Sequence, residues 1–261
     1  MRAVQGVSAA LLLLLPSLGS AQTTVVDSRI FIDVNVFSSA SALSDERTFT
    51  YPFVLFSEQA TYKATYPKPS RTTGFPVDIS GGYMFTKTFG VGVNYSRIVR
   101  EDPADLTATI PHPTFLNAPA TATGETGILK RTESATTVFA SLSPVRNARF
   151  EWRLYGGPAF YNYNAEMVSD IAYEQTADPL TPQNTIAITG YSTQKASGFG
   201  VGAQLGTDFA YFFTNLFGVT GGVRFQAAIV EIDPEPLSKI SQDVRPGGTV
   251  IYLGVRFRLG R

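Results

Sequence analysis

The chain has no cysteine, a single histidine and a single tryptophan among its 261 residues, and only 16% of it is charged. Without cysteine there is no disulfide framework, no thiolate metal site and no thiol nucleophile. An excess charge of one sign is missing too. Twenty-one Lys plus Arg balance 21 Asp plus Glu, so no bulk basic field gathers nucleic acid, and no nucleic-acid partner is expected. After the first stretch, every apolar run is cut by Gly, Asn, Arg or Asp within a few residues, which leaves no candidate for a membrane-crossing helix. What is present is 44% hydrophobic and 12% aromatic residues, with Gly 23 and Pro 16. That is too aromatic and too weakly charged for disorder, and too rich in glycine and proline to be mainly helical. A β-rich globular or membrane protein remains.

Residues 1–21 have the form of a secretory signal peptide. Arg2 supplies the positive charge, Val7 to Leu15 the apolar core, and Gly19-Ser20-Ala21 a small-residue cleavage site. Pro16 ends the run short of the about 20 residues a spanning helix needs. Cleavage after Ala21 is expected, leaving 22–261 as one domain outside the cytoplasm.

That remainder alternates with period two almost throughout, using Gly, Thr, Val, Tyr and Phe. In the last strand Ile251, Leu253, Val255, Phe257 and Leu259 share one face, while Tyr252, Gly254, Arg256 and Arg258 share the other. The pattern predicts eight strands, at 29–37, 75–85, 89–98, 131–142, 150–163, 198–211, 217–230 and 251–259. Short turns at 86–88, 143–149 and 212–216 alternate with long polar connections at 38–74, 99–130, 164–197 and 231–248. Antiparallel neighbours then put all the long loops at one end and all the tight turns at the other. Aromatics gather at both strand ends. Tyr83, Phe85, Phe89, Phe150, Trp152, Phe209, Tyr211, Phe212, Phe213 and Phe217 lie near the tight turns, and Phe37, Phe75, Tyr95, Phe160, Tyr161 and Tyr163 at the opposite ends. Two girdles around an aliphatic band suit a membrane with two interfaces.

The face opposite the aliphatic one is mostly glycine and small polar residues, as the interior of a narrow closed barrel requires. It also carries Asp33, Asp78, Glu151 and Asp208 against Arg153, Arg224, Arg256 and Arg258, four charges of each sign. A balanced set is what a low-dielectric lumen tolerates, because a lone buried ion costs several kcal/mol. All six lysines, Lys63, Lys68, Lys87, Lys130, Lys195 and Lys239, fall in predicted connections or at a strand end, so the outward face is not a water-facing one.

Glycine-rich hairpins such as Asp78-Ile-Ser-Gly-Gly-Tyr-Met-Phe85 leading into Phe89-Gly-Val-Gly-Val93, with the terminal Leu253-Gly-Val-Arg-Phe257, resemble the OmpA/OmpX-type small outer-membrane β-barrel family. The resemblance spans residues 22–261 as a pattern rather than as a catalytic signature. It implies an all-β, transmembrane, antiparallel up-and-down barrel. It further implies a location in the Gram-negative outer membrane, with outer-membrane lipid and the barrel-assembly machinery as partners.

Two segments of the first long loop, Thr48 to Phe56 and Thr61 to Tyr66, have strand-like composition and would make ten strands if they crossed. Pro52 removes a ladder donor, which favours a protruding hairpin. Segments 166–174 and 185–193 continue their neighbours upward as an exposed ribbon, expected to be solvated, with strand-pairing of its edge to an extracellular protein as the alternative. The lone histidine, His112, sits between two prolines and reads as a loop residue rather than a general base. Glu101, Asp102 and Asp105 lack the spacing of a calcium loop. No catalytic residue, cofactor or metal is therefore expected. The reading is a non-enzymatic barrel with a structural or surface-interaction role, a small-solute pore being the rival. A lipid-modifying enzyme and a secreted soluble ligand-binding barrel are remoter alternatives.

Overall fold

The computed structural model describes residues 28–40, 47–67, 76–232 and 242–260. The segment read as a signal peptide, and Phe75 with Lys68 and Lys239, lie outside the described residues. In chain order the strands are β1 (Ile30–Ala40), β2 (Arg47–Leu55), β3 (Glu58–Tyr66), β4 (Val77–Met84), β5 (Phe89–Asp102), β6 (Asp105–Ile110) and β7 (Ala120–Glu125). They continue as β8 (Leu129–Arg146), β9 (Phe150–Ala177), β10 (Asn184–Phe212), β11 (Phe217–Ile232), β12 (Gln242–Val244) and β13 (Gly247–Leu259).

Eight of these form a ring in the order β1-β4-β5-β8-β9-β10-β11-β13, each antiparallel to the next. The ring closes where β13 pairs with β1, Asp33 standing opposite Arg256. Closure gives every ladder a partner, so no edge is left along the barrel wall. The chain is thus an eight-stranded up-and-down β-barrel. The alternation in the sequence sets which way each side chain points. Ile30, Ile32, Val34 and Val36 on β1, Val201 and Leu205 on β10, Val223 and Ile229 on β11, and Ile251 and Leu253 on β13 are all exposed on the outside. Between them Phe31, Asp33, Asn35, Gln204, Asp208, Arg224, Tyr252 and Arg256 are buried. Glycine makes part of that interior workable. At Gly202 an added Cβ would run into the carbonyl of Ala227 and the side chain of Ala228 on the neighbouring strand.

Several expectations about the connections need correction. The second long loop is not irregular. It holds β6 and β7, which join the β2–β3 hairpin in a four-stranded sheet of order β2-β3-β6-β7. The hairpin does protrude rather than cross, so the ring has eight strands and not ten. The 143–149 turn is shorter than expected, because β8 runs on to Arg146 past an irregularity between Leu142 and Val145. The ribbon is longer than expected. β9 and β10 pair out to Ala177 and Asn184, well past the ring, and one face of the ribbon is covered rather than solvated. Tyr51, Tyr62, Leu106 and Ile110 of the small sheet share one apolar core with Met167, Val168 and Ile171 of β9, with Ile186 and Ile188 of β10 packed against it. Tyr62 meets Tyr173 edge to face at 6.3 Å. The long connections thus form a folded cap with its own core, continuous with the upper lumen.

The aromatic girdles are unequal. Near the tight turns Tyr83, Phe85, Phe89, Phe150, Phe209, Tyr211 and Phe213 face outward, but Phe212 is buried inside. At the cap end Tyr95 and Phe160 face outward, joined by Phe199, whereas Tyr161 and Tyr163 point into the interior.

Candidate functional site

The barrel interior and the cap are the two places where chemistry could reside. In the interior, Asp33 on β1 and Arg153 on β9 stand on opposite walls of the ring and meet across it at 2.7 Å. Arg153 also meets Asp208, its neighbour on β10, at 2.7 Å. Arg256 on β13 completes the circuit, reaching Asp33 at 2.7 Å and Asp208 at 2.9 Å. Four charges therefore form a closed ring of ion pairs that spans the lumen. Phe31 floors it, with the Arg153 guanidinium 4.5 Å from its ring centroid.

Toward the tight turns, Glu151 takes Arg258 at 2.7 Å and lies 3.7 Å from Arg256. The Arg258 guanidinium stacks 3.5 Å from the Phe212 ring centroid. Toward the cap, Asp78 pairs with Arg224 and accepts hydrogen bonds from Asn35 at 2.8 Å and Asn94 at 3.0 Å. All eight charges singled out in the sequence, Asp33, Asp78, Glu151, Arg153, Asp208, Arg224, Arg256 and Arg258, lie buried in this interior, and each is paired.

The sequence reading missed further charges, among them Arg100, buried at the rim. Arg146, placed in a turn, lies 3.8 Å from Glu151 and donates to the Ser28 carbonyl at 2.6 Å. Of the neutral members, alternation had already turned Gln204 and Tyr252 inward, but Asn35, Asn94 and Tyr155 went unnamed. The phenol oxygens of Tyr155 and Tyr252 are 2.8 Å apart, and Tyr252 donates to Asp208 at 3.2 Å. Asn35 and Asn94 share strand parity with residues already assigned inward, and that parity was the signal available for them. For Arg146 the irregularity after Leu142 breaks the parity, and no signal precedes it.

A recess of about 190 Å³ opens at the tight-turn end beside Arg29, Met84, Lys87 and Arg146, but around and above the ion-pair ring little free space remains. A void of about 10 Å³ lies among Asp78, Ser80, Asn94, Arg153, Arg224 and Tyr252, and another of about 20 Å³ sits higher, beside Phe37, Ile98, Tyr161 and Gln226. Each has room for roughly one water molecule. A recess of about 50 Å³ lies at the rim, where Arg100, Leu129, Tyr163 and Met167 meet below the cap.

In the cap, His112 is buried and fully engaged. Its Nδ1 accepts the backbone N–H groups of Thr114 and Phe115, both at 3.0 Å, which places the ring proton on Nε2, donating to the Asp178 carbonyl at 3.1 Å. With both nitrogens committed, the ring is a clasp between two loops and presents no free base. Burial pushes the Tyr51 and Tyr62 phenols up to about 12, with Tyr173 and Asp170 adding to the effect on Tyr62. Among the described residues no group of three or more His, Cys, Asp and Glu is arranged to hold a metal ion.

Two solved outer-membrane barrels resemble this architecture. The outer membrane protein OprG of Pseudomonas aeruginosa matches with 12% identity over 90% of this chain and 97% of its own, at a TM-score of 0.43. Ail, the attachment invasion locus protein of Yersinia pestis, solved in complex with the heparin analogue sucrose octasulfate, matches with 10% identity over 89% and 97%, at a TM-score of 0.36. No protein family model matches the chain, and no curated protein does. Neither likeness carries a residue or a ligand over to this chain.

Proposed function

We propose that this chain is an integral bacterial outer-membrane protein of the small OmpA/OmpX type, non-enzymatic, in which a closed barrel anchors a folded extracellular cap that makes surface contacts. One observation carries the reading: aliphatic side chains are exposed around the outside of the ring while paired ions fill its centre. In water that arrangement is inverted, since a soluble barrel gathers its apolar side chains inside and shows its charges. In lipid it is the required one, because hydrocarbon accepts apolar side chains and only a closed ring satisfies every backbone polar group. From Phe217 to Ile229 the outward apolar row of β11 covers about 40 Å along the strand at about 3.3 Å per residue, or about 28 Å of height at a tilt of about 45°. That matches the about 25 Å apolar band of outer-membrane barrels. Outer-membrane lipid is then the main partner, and a signal peptide at 1–21 and the barrel-assembly machinery supply the route.

The closed lumen argues for an anchor over a pore. The ion-pair ring crosses the bore, and the apolar core under the cap closes its upper end. Membrane fractionation with a gel-mobility shift on boiling tests the placement: the protein belongs in the outer-membrane fraction and migrates faster unboiled. Recovery in soluble form without detergent refutes it. In planar bilayers the protein is expected to be silent, and a steady, reproducible conductance refutes the closed lumen.

A further inference from the structure

The far end of the cap is made by three loop tips locked together. The β9–β10 turn at 178–183 is the end of the ribbon most distant from the barrel, and His112 clasps it through the Asp178 carbonyl. Asn184 donates to the carbonyls of Ile110 and Ala118, both at 3.2 Å, and Gln175 to that of Pro111 at 2.9 Å, which fastens the β6–β7 loop. Glu58 accepts the Asn117 N–H at 2.7 Å, which brings in the β2–β3 turn.

What this locked end presents is apolar. Leu180 is 85% exposed, Val54 78%, Leu116 70% and Phe56 44%. Single exposed apolar residues are ordinary, but here four sit on three loops that hydrogen bonds fix to one another. The backbone is held in disfavoured conformations at the same place. Phe56 and Ser57 both have positive φ, 51° and 64°, in a two-residue turn whose geometry favours Asn-Gly, and Asn117 has φ 57°. A bulky aromatic residue is rarely held in that region, so the fold fixes the Phe56 ring against its backbone preference. Charge is one-sided here. Residues 53–60, 111–120 and 174–185 contain Glu58, Glu174 and Asp178 and no lysine or arginine, in a chain whose charges balance as a whole.

We propose that this tip is a docking surface for a cationic, amphipathic segment of another protein. The inference rests on the surface-contact role proposed above and names the partner's chemistry: apolar side chains to cover Leu180, Leu116, Val54 and Phe56, and lysine or arginine to meet the three carboxylates. An anionic membrane is disfavoured by those carboxylates. Because the loops are already fixed, little ordering entropy opposes binding.

The test uses the full protein in phosphatidylcholine nanodiscs, with empty nanodiscs as reference. The probe is a fluorescent 14-residue helical peptide of leucine and lysine, read by anisotropy beside a counterpart with glutamate in place of lysine. Binding of the lysine peptide above the empty-disc level is expected, at least tenfold tighter than the glutamate peptide. The double variant Leu116→Ser/Leu180→Ser is expected to weaken it at least tenfold, and Phe56→Gly, which removes the ring and relieves the turn, to weaken it severalfold. Each variant should keep the boiling-dependent gel shift, which shows an intact barrel. No binding above empty discs, equal affinity for both peptides, unchanged affinity in the double variant, or equal capture of phosphatidylglycerol vesicles overturns the inference. Failure of wild-type protein to partition into membranes strikes instead at the membrane reading, a separate outcome.

Discussion

Arg256 is the point at which the lumen network is most exposed to perturbation. It touches Asp33 through two hydrogen bonds of 2.7 and 3.1 Å and Asp208 through one of 2.9 Å, and Glu151 lies 3.7 Å away. Arg256→Met keeps most of the volume and removes the charge, so Asp33 and Asp208 then face a single guanidinium, that of Arg153. Breaking a buried ion pair from one side costs about 3–5 kcal/mol, a large part of the about 5–15 kcal/mol that holds a typical domain. Adding Asp33→Asn restores the balance to one carboxylate and one guanidinium, Asp208 with Arg153. The double variant is therefore expected to be more stable than Arg256→Met alone, although it carries one more substitution. Urea unfolding in lipid vesicles reads this directly, because the one tryptophan, Trp152, lies on a barrel strand stacked 5.8 Å from Phe209. If Arg256→Met costs less than about 1 kcal/mol, or if the two substitutions simply add, the charges are not a coupled network.

Three further outcomes are expected. His112→Ala removes the acceptor of two backbone N–H groups and the donor to Asp178, a local cost of about 1–3 kcal/mol; amide exchange at 111–119 and 178–183 should accelerate while the urea midpoint of the barrel holds, and unchanged exchange refutes the clasp. Tyr51 and Tyr62 are raised to about 12, so the cap gains stability from their neutral forms below the ordinary phenol value near 10 and loses it as the pH climbs toward 12. Tyrosinate absorbance should show a late-titrating fraction whose amplitude falls by two phenols in a Tyr51→Phe/Tyr62→Phe variant, and an unchanged amplitude there refutes the assignment. Gly202→Val drives a side chain into the β11 backbone and should cost about 1–3 kcal/mol or block refolding, whereas the adjacent outward Val201→Leu should be tolerated; equal tolerance of both would mean the strand faces are misassigned.

The barrel was legible in the sequence because period-two alternation and a two-sided environment are the same fact seen twice. Once Ile251 and Leu253 are known to face outward, Tyr252 and Arg256 have no other direction to take. The charges followed from parity alone, without knowledge of which would meet. The Asp33–Arg153 contact lies between non-adjacent strands on opposite walls, and no local pattern encodes it. Of the cap, the β2–β3 hairpin showed in its composition, but β6 and β7 were hidden for a different reason. Each has six residues, and β7, Ala120–Glu125, is made of Ala, Thr, Gly and Glu, with no apolar side chain large enough to mark a buried face. Its burial comes from neighbours on another sheet, and the same holds for Tyr161 and Tyr163, which read as interfacial aromatics until the apolar core above the lumen claims them.

The ion-pair ring also bears on how such a chain can be built. The partners of Asp33 lie 120 and 223 residues further along, so the first strand cannot neutralise its carboxylate until the ninth and the last have been made. Loop-closure entropy makes the β1–β13 seam the most demanding pairing in the molecule. Until that seam zips, a partly assembled sheet carries open charge toward its hollow side, an arrangement lipid rejects and water accepts. The interior thus works as a checkpoint on completion: burial in hydrocarbon is comfortable only for a chain whose two ends have already found each other.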